Sequence, residues 1–204
     1  MNLSNELWLC QSPDGTVHSE EKPTVLLPGS FNPLHHGHRS LAEVAARKLD
    51  ELVAFELSIS NVDKPELSAE EVRRRLDQFL GFAPVYVTRA MTFENKAKLF
   101  PGVAMVVGCD TALRILDPRY YENDPDRRDQ SLMMIRERGC RFLVAGRIVA
   151  SGTFVELGGI EIPAMFRDLF EAIAEEDFRV DVSSTILRQS STISSASQPT
   201  RSTS

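Results

Sequence analysis

The run "TVLLPGSFNPLHHGH", Thr24 to His38, decides how the rest of the chain is read. It opens on Val25-Leu26-Leu27, apolar at every position, as expected of a strand buried on both faces. It then turns through Pro28, Gly29 and Pro33 and sets His35, His36 and His38 close together. Beyond Gly37, the residues Leu41, Val44, Ala45 and Leu49 recur at helical spacing and predict a helix over 37–49. A buried strand, a glycine turn and a helix start form one unit. Backbone N–H groups of Gly29 and Ser30, the positive end of the helix opened by Gly37 and the imidazoles of His35 and His38 can together surround an anion. Two other readings stand beside this one. The three histidines could bind a metal, although no cysteine or fourth ligand lies at an expected spacing. Alternatively, Pro33 and Gly37 shape a turn that binds nothing.

Working outward, β and α patterns alternate. Apolar strands are predicted at Thr24–Leu27, Leu52–Ile59, Val85–Val87, Val103–Val107 and Arg141–Ala145. Between them, Ser68-Ala69-Glu70-Glu71 reads as a capping box, opening a helix with Val72, Leu76, Phe79 and Leu80 on one face. Further helices are predicted near Phe93–Phe100, after Gly108-Cys109-Asp110, and over Asp126–Arg138. Strands without alternation, separated by amphipathic helices, indicate a parallel sheet covered on both faces. With right-handed crossovers the expected fold is a single doubly wound, Rossmann-like α/β domain. Such sheets bind ligands beyond the carboxyl ends of their strands. That rim gathers the histidine turn, Ser60 to Lys64 with Asn61 between them, Gly108 to Asp110, and Gly146-Arg147.

Outside this core, residues 1–22 read as a leader or small hairpin turning at Pro13-Asp14-Gly15, which leaves the only tryptophan, Trp8, outside the core. Residues 23–188 form the predicted domain, and 189–204, mostly Ser and Thr, read as a disordered tail. A net charge of −6 argues against nucleic acid or an anionic membrane as a partner, so any anion must be met by a local cluster of donors. Cys10, Cys109 and Cys140 are scattered and form neither a disulfide framework nor a zinc motif. With no secretory leader at the start and no run of apolar residues long enough for a membrane helix, the cytoplasm is the expected location.

The segment "GSFNPLHHGH" resembles the first signature of the nucleotidylyltransferase superfamily, whose core is H-x-G-H or T-x-G-H, with His35, Gly37 and His38 at those positions. Val182-Ser183-Ser184-Thr185-Ile186-Leu187-Arg188 resembles the second, I-S-S-T-x-I-R, with two apolar exchanges. The asparagine of Gly-Ser-Phe-Asn-Pro, "SNVDKP" and "GCDT" look most like nicotinamide mononucleotide adenylyltransferases, within a cytidylyltransferase-like set. That resemblance implies transfer of a nucleotidyl group, most often AMP from ATP, to a small phosphorylated acceptor such as nicotinamide mononucleotide, with Mg²⁺ carried by the triphosphate and a place in NAD biosynthesis. It implies that His35, His38 and Arg188 are catalytic. Gly29, Ser30, Phe31, Gly37, Ser183, Ser184 and Thr185 would bind nucleotide or phosphate, and Asn61, Lys64, Gly108, Asp110 and Arg147 acceptor or ribose. The alternatives are a cytidylyltransferase acting on a phosphorylated alcohol and a nucleotide-binding module without catalysis. A homo-oligomer is compatible with either. No tryptophan segment for a pyridine ring is evident, and Tyr120 or Tyr121 could stack on a base instead.

Overall fold

The computed structural model describes residues 7–60, 65–148 and 154–178. The chain begins with strands β1 (Trp8–Gln11) and β2 (Val17–His18), then runs through β3 (Val25–Pro28), α1 (His36–Leu49), β4 (Val53–Ser58), α2 (Ala69–Leu76) and β5 (Val85–Thr88). It continues with α3 (Phe93–Leu99), β6 (Ala104–Gly108), α4 (Cys109–Leu116), α5 (Pro125–Glu137) and β7 (Arg141–Ala145). A small ribbon of β8 (Arg147–Ile148) and β9 (Phe154–Val155) follows, and then strand β10 (Phe170–Ile173).

The main sheet has the order β10-β7-β6-β3-β4-β5-β1-β2. All pairings from β10 to β5 are parallel, and β1 and β2 are antiparallel additions. From β3 the chain winds outward through β4 to β5, then returns to place β6 on the other side of β3. The expected doubly wound fold is therefore present, and its winding reverses between β3 and β6.

Both faces of the sheet are covered, which is why the strand sequences do not alternate. Leu27, Phe55, Leu57 and Val87 point into one core with Leu41, Val44 and Ala45 of α1 and Val72 and Leu76 of α2. Their neighbours Leu26, Met105, Phe142 and Val144 point into the other, against Ala97, Ala112, Ile115, Leu132 and Ile135 of α3, α4 and α5. Apolar residues on both sides of the pleat give continuous apolar runs. Ser68 caps α2 by accepting the Glu71 N–H at 3.2 Å. The helix stops at Leu76, however, and tightens into a 3₁₀ turn, Asp77–Phe79, so that Phe79 is fully buried while Leu80 is half exposed.

Residues 8–18 form a hairpin whose first strand extends the sheet along β5. Its turn is closed by Ser12 N–H to the Thr16 carbonyl at 2.8 Å, with Gly15 at φ 88°. Trp8 is thus not outside the core as expected. It is buried against Tyr86 and Phe100, at ring distances of 5.4 and 5.6 Å. A second departure is β10, which extends the opposite side of the sheet along β7. No helix among the described residues is long and apolar enough to cross a membrane.

Candidate active site

The turn from Gly29 to Leu34 leaves β3 and enters α1, and its shape is imposed from outside. Phe31 has the left-handed φ of 46° and is fully buried, its ring edge-on to Phe55, Phe79 and His38. Gly29 has to be glycine because a Cβ there would lie 2.7 Å from the Phe31 ring. Helix α2 and its 3₁₀ extension then tie the turn at four points. Arg75 donates to the Ser30 carbonyl at 2.8 Å, and Arg74 to Asn32 Oδ1 at 2.6 Å. Gln78 donates to the Phe31 carbonyl at 3.0 Å and accepts the Leu34 N–H at 2.8 Å. Glu71 in turn holds both arginines, which keep its carboxyl ionised with a pKa lowered to about 2, Arg74 being the larger cause.

Two expectations about this turn need correction. Phe31 cannot offer its side chain to a nucleotide, because the ring is packed in the core. The Gly29 N–H is not available to a ligand either, because it donates to the Glu56 carbonyl at 2.9 Å. Gly29 and Ser30 nevertheless line the main cavity at this rim.

His35 is the N-cap of α1, and His38 sits in the first turn. Their rings stack at 3.8 Å. His36 turns away, exposed, with Nδ1 3.0 Å from Ser40 Oγ. Two of the three histidines act together and the third does not. Among the described residues, no three His, Cys, Asp or Glu residues converge on a point where a metal could bind.

The backbone N–H of His35 approaches His38 Nδ1 at 3.3 Å. A nitrogen that accepts carries no proton, so in neutral His38 the proton is on Nε2, which becomes the donor. Burial, followed by the charge of His35, pushes the pKa of His38 down from 6.5 to about 4. His35 is also lowered, by burial and then by His36. Near neutral pH, burial thus makes His38 a neutral hydrogen-bond donor and not a cation.

Those shifts have a consequence for stability. Below pH 6.5 the unfolded chain takes up a proton on this histidine that the folded chain refuses until about pH 4. The melting temperature should therefore fall as pH drops from 6.5 to 4, and His38→Gln should flatten part of that fall. A profile unchanged by the substitution would show that His38 is not held neutral.

The other rim residues are divided. Gly108 caps α4 without a side chain, placing Asp110 in its first turn. Arg147 pairs with Asp110 at 3.1 Å, and both are about half exposed. Gly108, Asp110 and Arg147 thus form one group across the ends of β6 and β7. His35, Gly37 and His38 form another at the end of β3, the strand beside β6. Asn61, Lys64, Ser183, Ser184, Thr185 and Arg188 lie outside the described residues. Of the two tyrosines, Tyr121 donates to the Ile115 carbonyl at 2.9 Å and supports the fold, whereas Tyr120 is exposed and lines the cavity.

That cavity has a volume of about 820 Å³. It lies between the histidine turn, the end of β4, the start of α3 and the segment after α4. Among the charged residues on its wall that the sequence reading passed over are Glu56 and Lys96. They form an ion pair at 3.0 Å with side chains 1% and 6% exposed, so the pair is almost wholly buried.

A histidine-bearing turn lies beside the point where the doubly wound sheet reverses, which is where such α/β proteins bind their ligands. The comparison with protein families agrees and narrows the class: the cytidylyltransferase-like family model matches residues 26–190. The chain belongs to that family, and nucleotidyl transfer is its class of reaction. A comparison with curated proteins gave no match.

Proposed function

We propose that the protein transfers AMP from ATP to a small phosphorylated acceptor such as nicotinamide mononucleotide. An acceptor phosphate oxygen attacks the α-phosphorus, the bond to the β-phosphate breaks, and pyrophosphate leaves. The observation that carries this reading is the stacked His35–His38 pair at the start of α1, directly after a turn whose Gly29, Ser30 and Asn32 line a cavity large enough for a nucleotide. No side-chain nucleophile is needed. Catalysis then consists of holding two phosphates in line and stabilising the charge that develops between them. His38 Nε2 donates a hydrogen bond to the transferring phosphate, and His35 borders the same oxygens. Mg²⁺ accompanies the triphosphate on its own oxygens and retained waters.

By resemblance, Ser183, Ser184, Thr185 and Arg188 grip the departing phosphates, while Asn61, Lys64, Gly108, Asp110 and Arg147 serve the acceptor or the ribose. Arg188→Lys keeps the charge and loses the planar fork that matches two phosphate oxygens. We expect kcat to fall more than KM for the triphosphate rises, as for a contact made mainly in the transition state. If KM alone rises, Arg188 only binds substrate.

The test of the reaction is pyrophosphate release from four nucleoside triphosphates against a panel of phosphorylated acceptors. ATP with nicotinamide mononucleotide should give the dinucleotide. Release with CTP and a phosphorylated alcohol would move the assignment to a cytidylyltransferase. Nucleotide binding without release from any combination would make the protein a silent module.

A further inference from the structure

Strand β4 carries one charged residue, Glu56, in an otherwise apolar and buried setting. Its Oε1 accepts two hydrogen bonds, from Thr88 Oγ1 at 2.6 Å and from Lys96 Nζ at 3.0 Å. Among the described residues, its Oε2 accepts none. Lys96 uses a second proton on the Ala90 carbonyl at 2.6 Å, which leaves one of its three donors unspent. Both residues line the 820 Å³ cavity although neither is exposed to bulk water. The floor thus presents one vacant acceptor and one vacant donor side by side, with no net charge. Hydrogen-bonding capacity that opens onto a cavity is available to a ligand.

We infer that Glu56 and Lys96 read the head group of the acceptor, and that this group is neutral and planar with a donor next to an acceptor. A carboxamide has that chemistry, as does the amino-oxo edge of a nucleobase. The group's N–H meets Glu56 Oε2, and its carbonyl meets the third proton of Lys96. Phe93 and Tyr120 on the same wall offer aromatic surface to the ring that carries it. A carboxylate in that place would set a second anion against Glu56, whose partner Lys96 is already engaged with it. The floor is therefore a specificity device that favours amide over acid. This inference rests on the transfer reading only for calling the ligand an acceptor.

The test is direct binding, measured by calorimetry without triphosphate. The probes are nicotinamide mononucleotide, nicotinate mononucleotide and cytidine monophosphate. The wild-type chain should bind the amide at least ~10-fold more tightly than the acid, given the cost of like charges at close range. Glu56→Gln keeps the shape, removes the repelling charge and should bring the two within ~3-fold. Cytidine monophosphate separates the two sources: Glu56-dependent binding of it rather than of the amide would assign the floor to a base edge. The inference is overturned if wild type binds the acid as tightly as the amide and cytidine monophosphate shows no dependence on Glu56. It is also overturned if the preference survives Glu56→Gln unchanged, or if none of the three binds. These outcomes are independent of pyrophosphate release. Transfer can fail while the preference holds, and the preference can fail while transfer holds.

Discussion

His38→Ala should lower turnover by ~100-fold or more, as expected when a preorganised donor to the reacting phosphate is removed. The effect should fall on kcat rather than on the melting temperature. The ring is half-buried at the edge of the core, and its loss removes contacts with His35 and Phe31 without opening the sheet. Replacing it by Gln, which retains a neutral donor, should recover part of the rate. A positively charged substitute such as Lys should not, if the site uses a neutral hydrogen bond as the lowered pKa implies. Single-turnover measurement of pyrophosphate release decides the matter, and a rate within a few-fold of wild type would remove His38 from the site.

The second large effect is on stability. Lys96→Met leaves the Glu56 carboxylate buried with only Thr88 as donor, and breaking a buried pair in this way costs about 3–5 kcal/mol. A domain of this size has a total stability of only about 5–15 kcal/mol, so the variant should unfold at much lower urea concentration. Glu56→Gln combined with Lys96→Met removes both charges and should regain most of the loss, because the intact pair contributes little beyond satisfying itself. If the single substitution costs less than ~1 kcal/mol, water reaches the pair and its burial has been misjudged.

The strands from β3 to β7 were legible because each is built on a largely apolar run, and the helices between them because their buried residues repeat at helical spacing. Strand β10 was not. Phe170 and Ile173 face inward, but Glu171 and Ala172 between them are exposed, and a 3₁₀ stretch precedes it instead of an amphipathic helix. Trp8 was misplaced because a strand of only four residues carries no sign that it will pair with a distant edge. In the site, the histidines were legible through their motif. Their charge state was not, because it depends on packing against Phe31. Lys96 looked like an ordinary helix charge next to Glu94 and Lys98. Glu56 did carry a signal: a lone carboxylate inside a fully buried parallel strand requires a buried partner, and a search for one would have led to the cavity floor.

The four ties from Arg74, Arg75 and Gln78 to the turn between β3 and α1 determine when that turn loses its freedom. A free glycine-containing loop would surrender conformational entropy as substrate arrived, at the expense of affinity. Here the surrender occurs during folding, and the loop would meet its ligand already in shape. Binding energy is then left to act on the reacting phosphates. If the turn serves the reaction as proposed, substitutions at Arg74 or Gln78 that cut these ties should be felt as changes in rate.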